Sequence, residues 1–153
     1  IIEKLKDLIN SKLDFEDIIK QITEYKKHTH LFFCLESLTN LARNGRVKPA
    51  IAHLAGIFGI RVIGKASNEG TLEPLSKPRG AKAALASLYQ HIKETGFNGG
   101  KVRIAHCENE SFAQSLRDMI LADFPDSDVE IEPCGALCTF YAELGGILVG
   151  VEG

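Results

Sequence analysis

Apolar residues recur along the chain with two periods, one suited to helices and one to strands. Ile1, Ile2, Leu5, Leu8 and Ile9 make one stripe and predict an amphipathic helix. Asp14, with Asp17 three residues on, predicts the cap of a second helix whose inner face is Phe15, Ile18, Ile19 and Ile22. His30 to Leu35 is short, continuous and aromatic-rich, as a buried central strand should be. Ser37 predicts the cap of a brief helix that stops at Asn44-Gly45, a dipeptide suited to positive φ. Pro49 fits the first turn of the next helix, and residues 50–60 are apolar nearly all round and rich in small side chains. Such a helix must be buried on most sides.

Residues 61–66 and 71–76 read as two strands of a hairpin around Ser67-Asn68-Glu69-Gly70. Residues 80–95 form an amphipathic helix, with Ala81, Ala84, Leu85, Leu88 and Ile92 inward and Gly96 as its stop. A strand follows over 101–107. Asn109 then predicts the cap of a helix buried through Phe112, Leu116, Met119 and Ile120 and closed by Pro125. Asp128 to Cys134 alternates as a strand, 135–143 is a short helix, and 146–151 is a closing strand. Strands alternating with helices, interrupted by one hairpin, predict an α/β fold: a two-layer domain with a mixed β-sheet packed against helices. No repeat, linker or low-complexity segment divides residues 1–153, so a single domain is expected.

Composition leaves this picture standing. An apolar fraction of 44% and a charged fraction of 25% belong to an ordinary globular protein. No run of eighteen apolar residues exists to cross a membrane. The first residues carry neither a Met nor the basic head and apolar core of a signal peptide, which predicts a piece of a longer, cytoplasmic chain. In that setting the four cysteines are thiols rather than a disulfide frame. Cys34 and Cys107 fall in apolar strand patterns and read as buried. Cys134 and Cys138 beside His106-Cys107 match no zinc spacing, so no metal is assigned.

Charge changes the picture more. Arg43, Arg46, Lys48, Arg61, Lys65, Lys77, Arg79 and Lys82 stand against Glu69 and Glu73, a net of +6 in a chain whose total is −2. A basic middle third suits a local anionic partner, while a solvated rim accounts for charge alone equally well. Nucleic acid fits poorly, because the whole chain is not basic and no aromatics interleave the charges. No nucleophile elbow, Walker loop or dinucleotide fingerprint occurs. His28, His30, His53 and His106 are scattered, and none has the partners of a catalytic base. Two features remain. Asn44-Gly45-Arg46 places a guanidinium at the mouth of the greasy helix, where it either binds an anion or simply closes a helix end. Lys77 and Arg79 precede the long helix at 80–95, whose first N–H groups add to the attraction for anions.

With these features in view, Leu31-Phe32-Phe33-Cys34-Leu35-Glu36-Ser37-Leu38 followed by Leu41-Ala42-Arg43-Asn44-Gly45-Arg46-Val47 resembles the strand, helix and Gly-Arg turn of the DegV family. The resemblance runs on through Gly70-Thr71-Leu72-Glu73-Pro74-Leu75 and Lys77-Pro78-Arg79-Gly80 to Cys134-Gly135-Ala136-Leu137 and Gly145-Gly146-Ile147-Leu148. It implies the carboxy-terminal domain of a two-domain protein that holds a long-chain fatty acid, with no other cofactor. It also implies an amino-terminal DegV domain as partner, and a fatty acid kinase that converts the carboxyl group to an acyl phosphate. On this resemblance Arg46 stands near the head group, Lys77 and Arg79 belong to a kinase-facing surface, and Leu54, Ile57, Phe58, Leu137 and Phe140 line the lipid pocket. The family often carries a His in a His-x-Gly-Pro-Gly turn before the last strand. Residues 139–145 here contain no His, and Tyr141 is the residue available to donate in its place. Two competing expectations are an acyl- or phosphoryl-transfer enzyme using His106 or Tyr141, and a structural interaction domain docking through its basic segment.

Overall fold

The computed structural model describes residues 1–47, 59–67 and 69–153. Along the chain these form α1 (Ile2–Asn10), α2 (Phe15–Lys27), β1 (Thr29–Leu35), α3 (Thr39–Arg43), β2 (Val62–Ala66), β3 (Leu72–Ser76), α4 (Ala81–Lys93), β4 (Lys101–His106), α5 (Glu110–Asp123), β5 (Asp128–Pro133), α6 (Ala136–Ala142) and β6 (Ile147–Glu152). The apolar helix expected over residues 50–60, with His53, lies outside the described residues except at its last two positions.

Six strands form one sheet in the order β3-β2-β1-β6-β4-β5. β4 and β5 run parallel because α5 carries the chain back between them; the other pairings are antiparallel. The sheet is therefore mixed, as the pattern predicts. Side chains alternate across it. Phe32, Cys34, Ile63, Val102, Ile104, Ile147 and Val149 face one way and are sealed under α4 and α5 by Leu88, Ile92, Phe112, Leu116 and Ile120. Phe33, Leu35 and Val62 face the other way and pack with Leu38, Leu41 and Ala142 from the short helices α3 and α6.

Local chemistry sets the ends of these elements. The Asp14 carboxylate accepts from the Asp17 N–H at 2.9 Å and starts α2, as expected. α3 ends in a Schellman turn. Gly45, at φ +67°, donates to the Ala42 carbonyl at 3.0 Å, and Arg46 donates to that of Leu41 at 2.8 Å. Asn109 does not cap α5 with its side chain. Its amide instead donates to the Gly145 carbonyl at 2.7 Å and ties the start of α5 to the turn before β6.

The first two helices depart most from expectation. Their stripes predict inward faces, yet Leu8 is the buried residue of α1 and α2 has none. Ile2 is 84% and Phe15 71% exposed, with Ile1, Ile9 and Ile19 also at the surface. α1 is held instead by charge. Both Glu3 carboxylate oxygens accept from Arg103 at 2.8 Å, and Lys101 adds a bond at 3.0 Å. Arg103 also bridges to Asp128 and Glu130 across β5.

Candidate functional site

The two faces of the sheet are covered unequally. Opposite the α4–α5 layer, Leu31 is half-exposed although it lies mid-sheet, where the run from His30 to Leu35 predicted full burial. A cavity of about 420 Å³ opens beside it where α1 and the end of α2 approach, lined in part by Ile1, Ile2, Tyr25, Leu31, Arg103 and Gly150. At the other end of β1, α3 and α6 are clamped together. Asn40 donates from its backbone to Glu143 and from its side chain to the Phe140 carbonyl, both at 2.8 Å.

α6 divides its residues between core and surface. Ala142 is buried and Tyr141 half-buried, packing on the cluster under Phe33 and Leu35. Leu137 is 70% exposed and Phe140 47%, and Leu144 in the following turn is exposed too. Phe140 meets Tyr141 edge-on, with ring centroids 5.1 Å apart. Three bulky apolar side chains therefore project from one short helix and its exit turn, beside an incompletely covered sheet. Together they form an exposed apolar patch.

Cations gather at the same end, where β1 and β3 finish and β2 begins. Arg46 is exposed in the Schellman turn, a position that satisfies its backbone and leaves the guanidinium outward. Lys77 is exposed just beyond β3, and Arg79 bridges to Ile60 ahead of the uncapped start of α4. Arg61 does a different job. Its guanidinium pairs with the Glu36 carboxylate and lies over the Phe112 ring at 5.4 Å, joining the ends of β1, β2 and α5. Of the expected pocket residues, Leu137 and Phe140 share α6 with Tyr141, whereas Leu54, Ile57 and Phe58 lie outside the described residues. Among the described residues no three His, Cys, Asp or Glu side chains converge as a metal site. His106 accepts a 3.3 Å hydrogen bond from the Asn109 N–H through Nδ1 and is engaged in the β4–α5 turn.

The model of the DegV family matches residues 1–152. The chain belongs to the DegV family. Among curated DegV relatives, a DegV domain-containing protein of Streptococcus pneumoniae is 42% identical over 99% of this chain and 54% of its own length. The chain thus spans about half the length of the curated relatives it matches. Among solved DegV structures, the S. pneumoniae Fatty Acid Kinase B3 protein, loaded with linoleic acid, superposes with a TM-score of 0.95 at 42% identity. That match covers 99% of this chain and 54% of the other. A DegV family protein of Eubacterium eligens, loaded with heptadecanoic acid, gives 0.94 at 44% identity over 99% of this chain and 55% of the other. Sequence reasoning passed over Leu31 and Leu144 as site candidates. The signal was present in the strict alternation of Leu31, Phe33 and Leu35, which puts all three on one face.

Proposed function

We propose that this chain is the lipid-binding half of a DegV protein. It holds a long-chain fatty acid and presents the carboxyl group to a fatty acid kinase for conversion to an acyl phosphate. The observation that carries the reading is the similarity, over 99% of the chain, to two DegV proteins carrying bound fatty acids. The exposed apolar side chains of α6 support it. Leu137 and Phe140 would wall the acyl chain together with Leu54, Ile57 and Phe58, and half-exposed Leu31 would extend the apolar floor toward the cavity beside α1. Each methylene withdrawn from water contributes about 0.8 kcal/mol, so burial of a long tail supplies ample driving force. Arg46 and Tyr141 stand at the head-group end, a guanidinium to pair the carboxylate and a phenol to donate to it. Lys77 and Arg79 would face the kinase.

In this reading the chain is a carrier and does no chemistry by itself, and an amino-terminal DegV domain completes the site. Among the described residues no helix is long and apolar enough to cross a membrane. We place the protein in the cytoplasm, where a kinase has its ATP.

The test is organic extraction of the purified full-length protein followed by mass spectrometry. About one fatty acid per protein is expected, by mass action on a tight site, and its absence would overturn lipid carriage. A separate assay adds the kinase and ATP and traps acyl phosphate as the hydroxamate. Trapped product without any kinase would favour an enzyme over a carrier.

A further inference from the structure

We propose that Ser76, His91 and Glu94 form a nucleophilic relay through which Ser76 takes the acyl group of an activated ester. Ser76 ends β3, the edge strand of the sheet, and pairs with Ile63 of β2. Directly opposite residues on antiparallel strands share a face, so the Ser76 side chain points, like that of Ile63, toward α4. There its Oγ lies 3.0 Å from His91 Nε2 and 2.8 Å from Ser87 Oγ. His91 Nδ1 lies 3.0 Å from Glu94 Oε2, one helical turn on. The other Glu94 oxygen accepts from the Gln90 amide at 3.3 Å. Helices α3 and α6 cover the opposite face, so the relay stands apart from the surface proposed for lipid.

The carboxylate at one end fixes the direction of the protons. It only accepts, so Nδ1 of the neutral ring carries the hydrogen and donates to Glu94. Nε2 is then a bare lone pair, and the Ser76 hydroxyl donates to it. Ser87 in turn donates to Ser76. The hydrogen bond from His91, and then that from Gln90, holds the Glu94 carboxyl below its ordinary range, so it stays charged. A hydroxyl facing a base, with the base turned by a carboxylate, is the arrangement that activates a serine. Ser76 is half-buried at the sheet margin, and the His91 side chain is 19% exposed, so a small ester reaches them from solvent. Ser67 provides the contrast. It too is half-buried, but its hydroxyl meets that of Thr71 at 2.8 Å and accepts from the Glu69 and Thr71 N–H groups, with no imidazole among these partners.

In the acyl step Ser76 Oγ attacks the carbonyl carbon of the ester as its proton passes to His91 Nε2. The Ser O–C bond forms, and the bond from the acyl carbon to the leaving oxygen breaks. The departing alkoxide takes the proton from Nε2. The products are acyl-Ser76 and an alcohol, and nothing is oxidised or reduced. Glu94 is a positioning residue, which holds the ring in this tautomer and steadies the transient imidazolium.

The probe is a fluorophosphonate, which meets the same nucleophile at phosphorus. The Ser O–P bond forms, the P–F bond breaks, fluoride leaves, and the adduct persists. Full-length protein is labelled, digested with trypsin and sequenced by mass spectrometry. Because Pro78 follows Lys77, trypsin releases Ser67, Thr71 and Ser76 together in the peptide 66–79, and Ser87 separately in 83–93. Fragmentation is expected to place the phosphonate on Ser76 and to leave Ser67 free. His91→Ala should slow labelling about a hundredfold, with free imidazole restoring part of the rate. Glu94→Gln should slow it in the parent yet add nothing to His91→Ala, because Glu94 acts through the ring. Absence of label on Ser76 overturns the proposal. So does equal labelling of Ser67, or a Ser76 rate unchanged in His91→Ala. The comparison of Ser76 with Ser67 is made in the parent protein and decides even where a variant unfolds.

Discussion

Gly64 has no room for a side chain. A Cβ there would run into the Phe33 ring and the Glu73 carbonyl, at the place where the β2–β3 register shifts. Because a carbonyl on the partner strand gives way less readily than a flexible side chain, Gly64→Ala should destabilise the fold by about 1–3 kcal/mol. Urea unfolding would show it as a lower midpoint with an unchanged slope. Glu3 offers a test by pH. Hydrogen bonds from Arg103 first and Lys101 second hold its carboxyl at about 2, against an ordinary 4.5. The folded state thus favours the charged form, and the stabilisation is complete above the ordinary carboxylate range. It drains away as pH falls from about 4.5 to about 2. Glu3→Gln should therefore lower stability at neutral pH, and its urea midpoint should converge on that of the parent across that window. The gap should be modest and shrink in high salt, since Glu3 is half-exposed and its partners reach water.

Helix α6 depends on α3 for its position more than on its own seven residues, too few for a stable isolated helix. The Asn40 side chain supplies one of the two bonds that join them. Asn40→Ala should cost about 1 kcal/mol. It should also speed amide exchange in residues 136–142 more than in α4 or α5, as read by hydrogen–deuterium exchange. If exchange rose equally everywhere, the clamp would be serving the whole fold rather than α6. Helices α1 and α2 teach a related lesson. Their stripes correctly predicted helices and even the Asp14 cap, but an apolar stripe states only that a face needs cover. The described core does not supply that cover, and salt bridges to Arg103 and Lys101 hold α1 in place instead.

Ile2, Ile9 and Phe15 on the first two helices, with Leu137, Phe140 and Leu144 around α6, leave bulky apolar side chains exposed on the isolated chain. It should self-associate as concentration rises, and Ile2→Ser with Phe15→Ser should restore monomer, measured by sedimentation velocity. An unchanged distribution would mean that these side chains are not the adhesive surface. The α/β class, the mixed sheet, the order of strands and helices among the described residues and the Gly45 turn were all legible beforehand, because periodicity and turn chemistry act between residues close in sequence. The family was legible from ordered short motifs. Less of the site was legible, since Leu137, Phe140 and Tyr141 could be named as apolar or polar members of a short helix but not sorted into exposed and half-buried. Which strands pair beyond the β2–β3 hairpin, which way Leu31 faces, and that Asn109 holds Gly145 rather than its own helix were decided by tertiary structure. Such facts depend on contacts between segments far apart along the chain, and local pattern carries no information about which distant segment will arrive.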